Sequence, residues 1–250
     1  GLMGSLLVGT SFAKSLALGL NVPLIDVNHM QAHILAHFIM EEGSTIPPFP
    51  FICLTISGGH TQIVKVTDYF DMEILGETID DAVGEAYDKS AKILGLPYPG
   101  GPLIDKHAQK GNPKAYVFTK PKVGDLKTGI LYFIQKKVKE NPNFIKENLE
   151  DICASIQFTI TEILIEKLKN AVKHTGIKHI AIAGGVSANS EIRKRLQLAE
   201  KHWGWTTYIP KFEYTTDNAA MIAITGYLKF LNKKYAAISV TAQARLKVTE

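Results

Sequence analysis

The sequence predicts an α/β fold in which a three-stranded meander leads into parallel βα units. Three short apolar, β-rich runs at 51–56, 61–66 and 71–75 are separated by turn residues, the pattern of an antiparallel meander. Apolar runs at 178–183 and 205–209 then alternate with helical patterns, which indicates parallel strands. This order is typical of the ribonuclease-H-like layout, the half-unit of actin-like, ATP-binding folds.

The composition is that of an ordinary globular protein. Of 250 residues, 46% are hydrophobic and 21% are charged, which excludes collagen-like, coiled-coil and disordered chains. Two cysteines, Cys53 and Cys153, are too few for a disulfide scaffold and favour a reducing, cytoplasmic location. The net charge of +4 permits an acidic partner such as nucleic acid but is too small to predict one.

Before the meander, we expect a helix at 5–18 and a short strand at 23–26. The apolar stretch 2–25 is interrupted by Lys14 and ended by Pro23, and no basic region precedes it. We therefore predict a buried helix and neither a signal peptide nor a membrane span. After the meander, apolar periodicity predicts helices at 80–94, 126–139, 149–174, 190–202 and 216–231.

These elements predict two lobes. In an actin-like arrangement we expect residues 1–49 to be the remainder of an N-terminal lobe, on which the C-terminal helix of segment 220–250 would pack. Residues 50–219 form the ribonuclease-H-like lobe, with a helical insertion at about 97–148 where prolines and glycines break the pattern.

Two histidines and an aspartate are candidate metal ligands. His29 and His33 are four residues apart, which places both imidazoles on one helix face, directly after a predicted strand. Asp217 can supply an acidic third ligand. The simpler interpretation is a histidine-rich helix face, which His37 extends by one turn. The zinc-protease motif His-Glu-x-x-His is absent, because Met30 follows the first histidine.

Two glycine turns are candidate phosphate platforms. Residues 57–61, Ser-Gly-Gly-His-Thr, join two strands, and glycines let backbone N–H groups approach a phosphate. Residues 184–189 join a strand to a helix N-terminus, which attracts anions. The simpler interpretations are a hairpin turn and a tight βα connection.

Acidic residues have two possible tasks. Asp80 and Asp81 stand at a helix start, where we expect them to cap it. Asp88 lies two turns further in and is less easily explained by capping. For Asp217 the alternatives are an N-cap and a metal ligand.

Taken together, these segments resemble the TsaD (Gcp) family, tRNA adenosine threonylcarbamoyltransferases with the actin-like ATPase (ASKHA) fold that were once named O-sialoglycoprotein endopeptidases. The resemblance is to the bacterial type and spans almost the whole chain in family order. It rests on the segments 4–9, 29–33, 57–62, 79–89, 98–102, 183–189 and 216–221.

The resemblance implies roles for residues at matching positions. His29, His33 and Asp217 are implied to bind one divalent metal, iron or zinc. The implied threonylcarbamoyl-adenylate site consists of Thr55, Ile56, Ser57, Gly58, Gly59, Asp88, Gly101 and Asn189. His37 matches no family ligand, so we expect it to be structural.

The implied reaction transfers a threonylcarbamoyl group from its adenylate to N6 of adenosine 37 in tRNAs that read codons beginning with A. The family acts with a TsaB-like paralogue, a TsaE-like ATPase and a TsaC-like enzyme that makes the adenylate. The helix at 5–18 is the candidate contact for the TsaB-like partner. Basic candidates for tRNA phosphates are Arg193, Lys194, Arg195, Lys136 and Lys137, for each of which a solvated surface position is the simpler interpretation.

The chain departs from the family pattern in two places. The family begins with a strand and a phosphate-binding segment, Gly-Ile-Glu-Thr-Ser-Cys-Asp-Glu-Thr, that this sequence does not contain. Where the family has Phe-Ser-Phe-Ser-Gly-Leu-Lys-Thr, only Leu126-Lys127-Thr128 matches. We therefore expect the first lobe to be incomplete.

Three other functions fit parts of the pattern. A non-catalytic actin-fold scaffold subunit would have no use for the metal ligands. A metalloprotease would need a glutamate that is not next to His29. An actin-fold sugar kinase would leave the histidines without a task.

Overall fold

A five-stranded mixed sheet with helices on both faces forms the centre of the molecule. The computed structural model describes residues 2–79, 81–118 and 126–250. The strands are β1 (Phe51–Ile56), β2 (Thr61–Asp68), β3 (Asp71–Glu77), β4 (His179–Ala183) and β5 (Thr206–Tyr208). The helices are α1 (Met3–Leu20), α2 (His29–Leu35), α3 (Val83–Ile93), α4 (Gly100–Ala108), α5 (Leu126–Glu140), α6 (Phe144–Thr175), α7 (Ser190–Trp203) and α8 (Ala219–Leu231).

The sheet has the strand order β3-β2-β1-β4-β5. β1 pairs antiparallel with β2 and parallel with β4, so the meander joins the parallel unit through its first strand. Every residue of β1 is buried, as expected for a central strand covered on both faces. The predicted ribonuclease-H-like layout is confirmed.

Alternate residues of β1 face two separate cores. Ile52 and Leu54 belong to the larger core, which the insertion helices, α3, α6 and α7 cover. Phe51 and Cys53 belong to the second core, which is closed by α2 and by Leu228 of α8. Because α2 lies on this second face, its first turn reaches the edge of the sheet at which β1 and β4 end.

The prediction that the first helix is buried is wrong. α1 forms, but Ala17 is its only buried residue, and Val8 and Phe12 are about 70% exposed. Among the described residues, α1 is also the one helix long and apolar enough to cross a bilayer. One such helix near the start of the sequence is only weak evidence for a membrane span. The strand predicted at 23–26 is reduced to one bridge between Leu24 and Ala236.

The insertion contains a helix that the sequence pattern did not predict. α4 begins at Gly100 and carries Gly101 and Pro102 in its first turn. A proline is tolerated there because the first N–H groups of a helix have no partner within it. α6 begins at Phe144 and is kinked at Asn148, whereas the predicted helix begins at 149. The family departure before Leu126 falls on 119–125 and lies outside the described residues.

The C-terminal helix ends at Leu231, well short of residue 250. It packs on α2 through Met221, which contacts Ala32 and Ala36. Residues 232–250 instead form a tail without regular secondary structure that returns to α2. The division into two lobes stays a prediction.

Candidate metal and nucleotide site

A cavity of about 970 Å³ opens where β1 and β4 end. Its walls are the first turn of α2, the β1–β2 turn, parts of α3 and α4, the turn after β4 and the C-terminal tail. Ligands of open α/β folds bind at the carboxyl ends of parallel strands, where adjacent connections diverge. The cavity is therefore in the expected place for a binding site.

The three predicted metal ligands meet at one end of this cavity. Asp217 Oδ1 lies 3.2 Å from His29 Nε2 and 3.1 Å from His33 Nε2. The ligand atoms of all three residues lie within 4.8 Å of one another, and in the described part of the chain no other three His, Cys, Asp or Glu side chains converge in this way. Two imidazoles and one carboxylate form a donor set that suits zinc or iron.

Helix caps hold two of these ligands in place. Asn28 is the N-cap of α2, because its Oδ1 accepts hydrogen bonds from the N–H groups of Met30 and Gln31. Asn218 caps α8 by accepting from the N–H of Met221 at 2.8 Å. Asp217 is therefore not the N-cap of α8, and its carboxylate is directed at the histidines.

The electrostatics favour a neutral imidazole at His33. Its side chain is only 4% exposed. Burial, and secondarily His29, lowers the pKa of His33, against the opposing effect of Asp217. A metal requires the unprotonated ring, so this environment suits a ligand. His29 and Asp217 are largely exposed, which leaves a bound ion accessible from the cavity.

His37 has the structural role that we expected for it. Its Nε2 hydrogen bonds the carbonyl of Ile182 in β4 at 2.8 Å, away from the other two histidines. Burial lowers its pKa to about 4. A ring that remains neutral here can donate its N–H to the sheet.

The first glycine turn is a closed hairpin that also supports α3. The N–H of Ser57 donates to the carbonyl of His60 at 2.8 Å. A Cβ on Gly84 would lie 2.7 Å from the carbonyl oxygen of Ser57, so only glycine lets α3 approach the turn. A Cβ on Gly58 would meet nothing within 4 Å, which leaves room for a ligand beside this backbone.

The second glycine turn is tight, and the helix after it is already capped. Gly184 has φ +86°, and a Cβ there would lie 2.5 Å from the carbonyl oxygen of Ile56. Asn189 caps α7 by accepting from two N–H groups, and Asp105 accepts from the N–H of Ser190. An anion at this turn therefore has to use the backbone around Gly185, because three of the first N–H groups of α7 are occupied.

Asp88 is a cap after all, but of a neighbouring helix. Its Oδ1 accepts from the N–H of Gly100 at 2.8 Å, at the start of α4. The prediction that Asp81 caps α3 is wrong, because Asp81 pairs with Lys89, and Thr61 Oγ1 accepts from the N–H of Val83 instead. Asp80 lies outside the described residues.

The predicted adenylate residues are not all at the cavity surface. Those that line it are Ser57, Gly58, Asp88, Gly101 and Asn189. Thr55 and Ile56 are buried in β1, and Gly59 is not part of the lining. The lining also includes Asp105, Lys106 and Arg245, which the sequence analysis did not single out.

Most of the basic candidates have partners within the protein. Arg193 donates to the carbonyls of Ser187 and Pro210, and Arg195 pairs with Glu162. Their guanidinium groups therefore stabilise the α7 region. Of the candidate lysines, Lys194 lies 3.9 Å from Glu191, and Lys137 lies 2.8 Å from Glu140.

Comparison with known proteins agrees with this description. Residues 1–224 match the TsaD family, described as tRNA N6-adenosine threonylcarbamoyltransferase. A protein of that name from Christiangramia forsetii is 69% identical over 99% of this chain and 75% of its own length. One from Riemerella anatipestifer is 59% identical over the same shares. The chain thus spans about three-quarters of these relatives.

Solved structures support the fold. Full-length HypF, in a phosphate- and nucleotide-bound form, aligns with a TM-score of 0.61 at 15% identity, over 87% of this chain and 37% of HypF. HypF from T. kodakarensis aligns with the same TM-score at 16% identity. At this identity the likeness shows the fold alone, and it confirms the predicted actin-like class.

Proposed function

This chain belongs to the TsaD family of tRNA N6-adenosine threonylcarbamoyltransferases, and from that premise we propose that it transfers threonylcarbamoyl from threonylcarbamoyl-AMP to N6 of adenosine 37 in tRNAs that read codons beginning with A. The observation that carries the proposal is the shared cavity. The cluster of His29, His33 and Asp217 lines the same space as Gly58 and Asp88. One pocket can therefore hold both a metal and an adenylate.

The chemistry is acyl transfer with AMP as the leaving group. A bond forms between N6 of the adenosine and the carbamoyl carbon, and the bond between that carbon and the adenylate phosphate oxygen breaks. N6 loses a proton. His29, His33 and Asp217 would hold a divalent ion, iron or zinc, which would supply Lewis-acid polarisation when bound.

The remaining contributions come from the protein itself. The backbone at Gly58 is open to the cavity, and its N–H is our candidate for donating to the phosphate. Asp88 and Gly100 fix the approach of α4 to α3, because Asp88 accepts from the N–H of Gly100 and a Cβ on Gly100 would lie 2.3 Å from the Cβ of Ala91. This approach shapes the pocket wall to which Asp88 and Gly101 belong. Orientation of the N6 amine against the carbamoyl carbon supplies much of the rate.

The proposal extends to partners. The substrate adenylate comes from a TsaC-like enzyme, and a TsaE-like ATPase acts in the same cytoplasmic pathway. The exposed apolar face of α1, with Leu7, Val8 and Phe12, is our candidate contact for a TsaB-like paralogue.

Removal of the histidines tests the function. In His29→Ala/His33→Ala we expect bound metal to be lost and the transfer rate to fall by at least about hundredfold. Loss of a residue that only hydrogen bonds to a metal ligand lowers activity by less than this. Metal content and modified tRNA are measured on the same preparations.

His174→Ala is the matched control, because His174 is an exposed histidine on α6. It should keep both metal and activity. Full transfer activity in the double variant without metal would contradict the proposal.

A further inference from the structure

The C-terminal tail is fastened to the helix that carries the metal ligands. Asn28 Nδ2 donates to the carbonyl of Lys247 at 2.6 Å, and Gln31 Nε2 donates to the carbonyl of Val248 at 2.8 Å. Both amide side chains are buried, and Val248 is 1% exposed within the second core. The end of the tail is therefore held against α2 by buried hydrogen bonds and by packing.

This anchoring carries the preceding residues across the cavity. Gln243, Ala244, Arg245 and Leu246 all line it, together with His29 and His33. Arg245 is the one residue of this stretch that carries a charge. It lies only two residues before Lys247, whose carbonyl is held by Asn28, so its backbone position is restrained.

Arg245 differs from the other two arginines of the chain. The guanidinium groups of Arg193 and Arg195 bond to carbonyls or to a carboxylate of the protein. For Arg245 no ion pair within 4 Å is found among residues 2–79, 81–118 and 126–250, and its side chain is exposed. Its five N–H donors are thus available to a ligand.

Two basic residues contribute positive charge to the cavity lining. Arg245 and Lys106 are the lysine and arginine residues of the lining. The three lining aspartates are already engaged within the protein: Asp88 with the N–H of Gly100, Asp105 with Ser190, and Asp217 with the histidines. None of the three is paired with Arg245.

We propose that Arg245 binds a phosphate of the substrates, as a positioning cation delivered to the cavity by the anchored tail. The inference rests on the proposed function for the identity of the phosphate, which belongs either to the adenylate or to the tRNA backbone. A guanidinium suits either one, because its planar fork can donate two parallel hydrogen bonds to phosphate oxygens.

The first arm of the test compares AMP with adenosine, which lacks the phosphate. Binding of each to the metal-loaded protein is measured by calorimetry for wild type, Arg245→Ala and Arg245→Lys. For an adenylate contact, Arg245→Ala weakens AMP about tenfold to hundredfold, the range expected for a charge-assisted hydrogen bond. Adenosine binding is unchanged, and Arg245→Lys retains part of the AMP affinity.

The second arm uses unmodified tRNA transcript. For a tRNA contact, Arg245→Ala leaves AMP binding intact but weakens tRNA binding, and the slope of log affinity against log salt falls by about one. Lys247→Ala is the matched control in both arms, because Lys247 is an exposed cation of the same tail that is not part of the cavity lining.

Two results would overturn the inference. In one, Arg245→Ala changes neither AMP nor tRNA binding. In the other, AMP and adenosine weaken equally, which would indicate altered packing. These outcomes are independent of the proposed function. If the protein transfers threonylcarbamoyl but Arg245→Ala changes no binding, only the inference is refuted. If Arg245→Ala weakens phosphate binding but the protein performs no transfer, only the function is refuted.

Discussion

At the residue scale, identical side chains have different tasks because of what packs against them. His29, His33 and His37 form one row by helical spacing, and the spacing alone predicts that they share a face. His37 lies in a 3-10 turn, Ala36–Phe38, that follows α2 and packs on β4, so its ring is directed to the carbonyl of Ile182 while the other two remain at Asp217. That separation depends on contacts about 145 residues away in sequence and so escapes a local pattern.

The buried His37 predicts a pH dependence of stability. Its folded pKa of about 4 lies below the ordinary value of 6.5, so between these values the unfolded chain binds a proton that the native state does not. The native state therefore loses stability as the pH falls through this window. Between pH 7 and pH 5, titration of His37 should lower the free energy of unfolding of the wild type by about 2 kcal/mol. In His37→Gln, which keeps an N–H donor, we expect this part of the loss to be absent.

Urea unfolding at the two pH values measures this difference. Equal losses in wild type and His37→Gln would show that His37 does not titrate as its burial indicates.

The aspartates show a second limit of local patterns. Asp217 and Asn218 are adjacent, and either can cap a helix that begins nearby. Which one does so depends on a helix start that sequence patterns place only to within a few residues. In the structure Asn218 is the cap, and this leaves Asp217 free to be a ligand.

At the element scale, the strands were the most predictable parts. β1, β2 and β4 agree closely with their predicted ranges, because alternating or continuous apolar runs report burial directly. α1 shows the converse, since its apolar composition predicts burial and yet its side chains are exposed. α4 was missed because its glycines and proline occupy the first turn, where helix-breaking residues are tolerated.

Asn28 connects two elements, and substitutions can separate its two roles. Its Oδ1 caps α2, whereas its Nδ2 holds the tail at Lys247. We expect Asn28→Ser to keep the cap but to lose the hydrogen bonds to the carbonyls of Lys247 and Glu250. Amide hydrogen exchange near Glu250 should then be faster by roughly tenfold. Asn28→Ala should lose both and be less stable by about a further 1 kcal/mol.

Hydrogen exchange measured by NMR, together with urea unfolding, checks both expectations. Unchanged exchange in the tail of Asn28→Ser would mean that burial of Val248 alone holds it.

At the scale of the whole molecule, the order of elements was sufficient to predict the fold class. For a meander followed by βα units, few strand arrangements keep the connections short and also bury the parallel strands. The same order places the glycine turns after β1 and β4 at one edge of the sheet, which is why local motifs predicted the position of the cavity. The contribution of Arg245 could not be predicted, because it depends on the tail returning to α2.

The central claim is that one cavity holds a metal and performs the transfer. The most direct test strips the protein with a chelator, reloads it stepwise with iron or zinc, and measures bound metal and threonylcarbamoyl-adenosine formed in tRNA on the same samples. We predict that the rate rises in proportion to bound metal up to one ion per chain, and that His37→Gln behaves like the wild type. A stripped protein that retains the full rate would contradict the account.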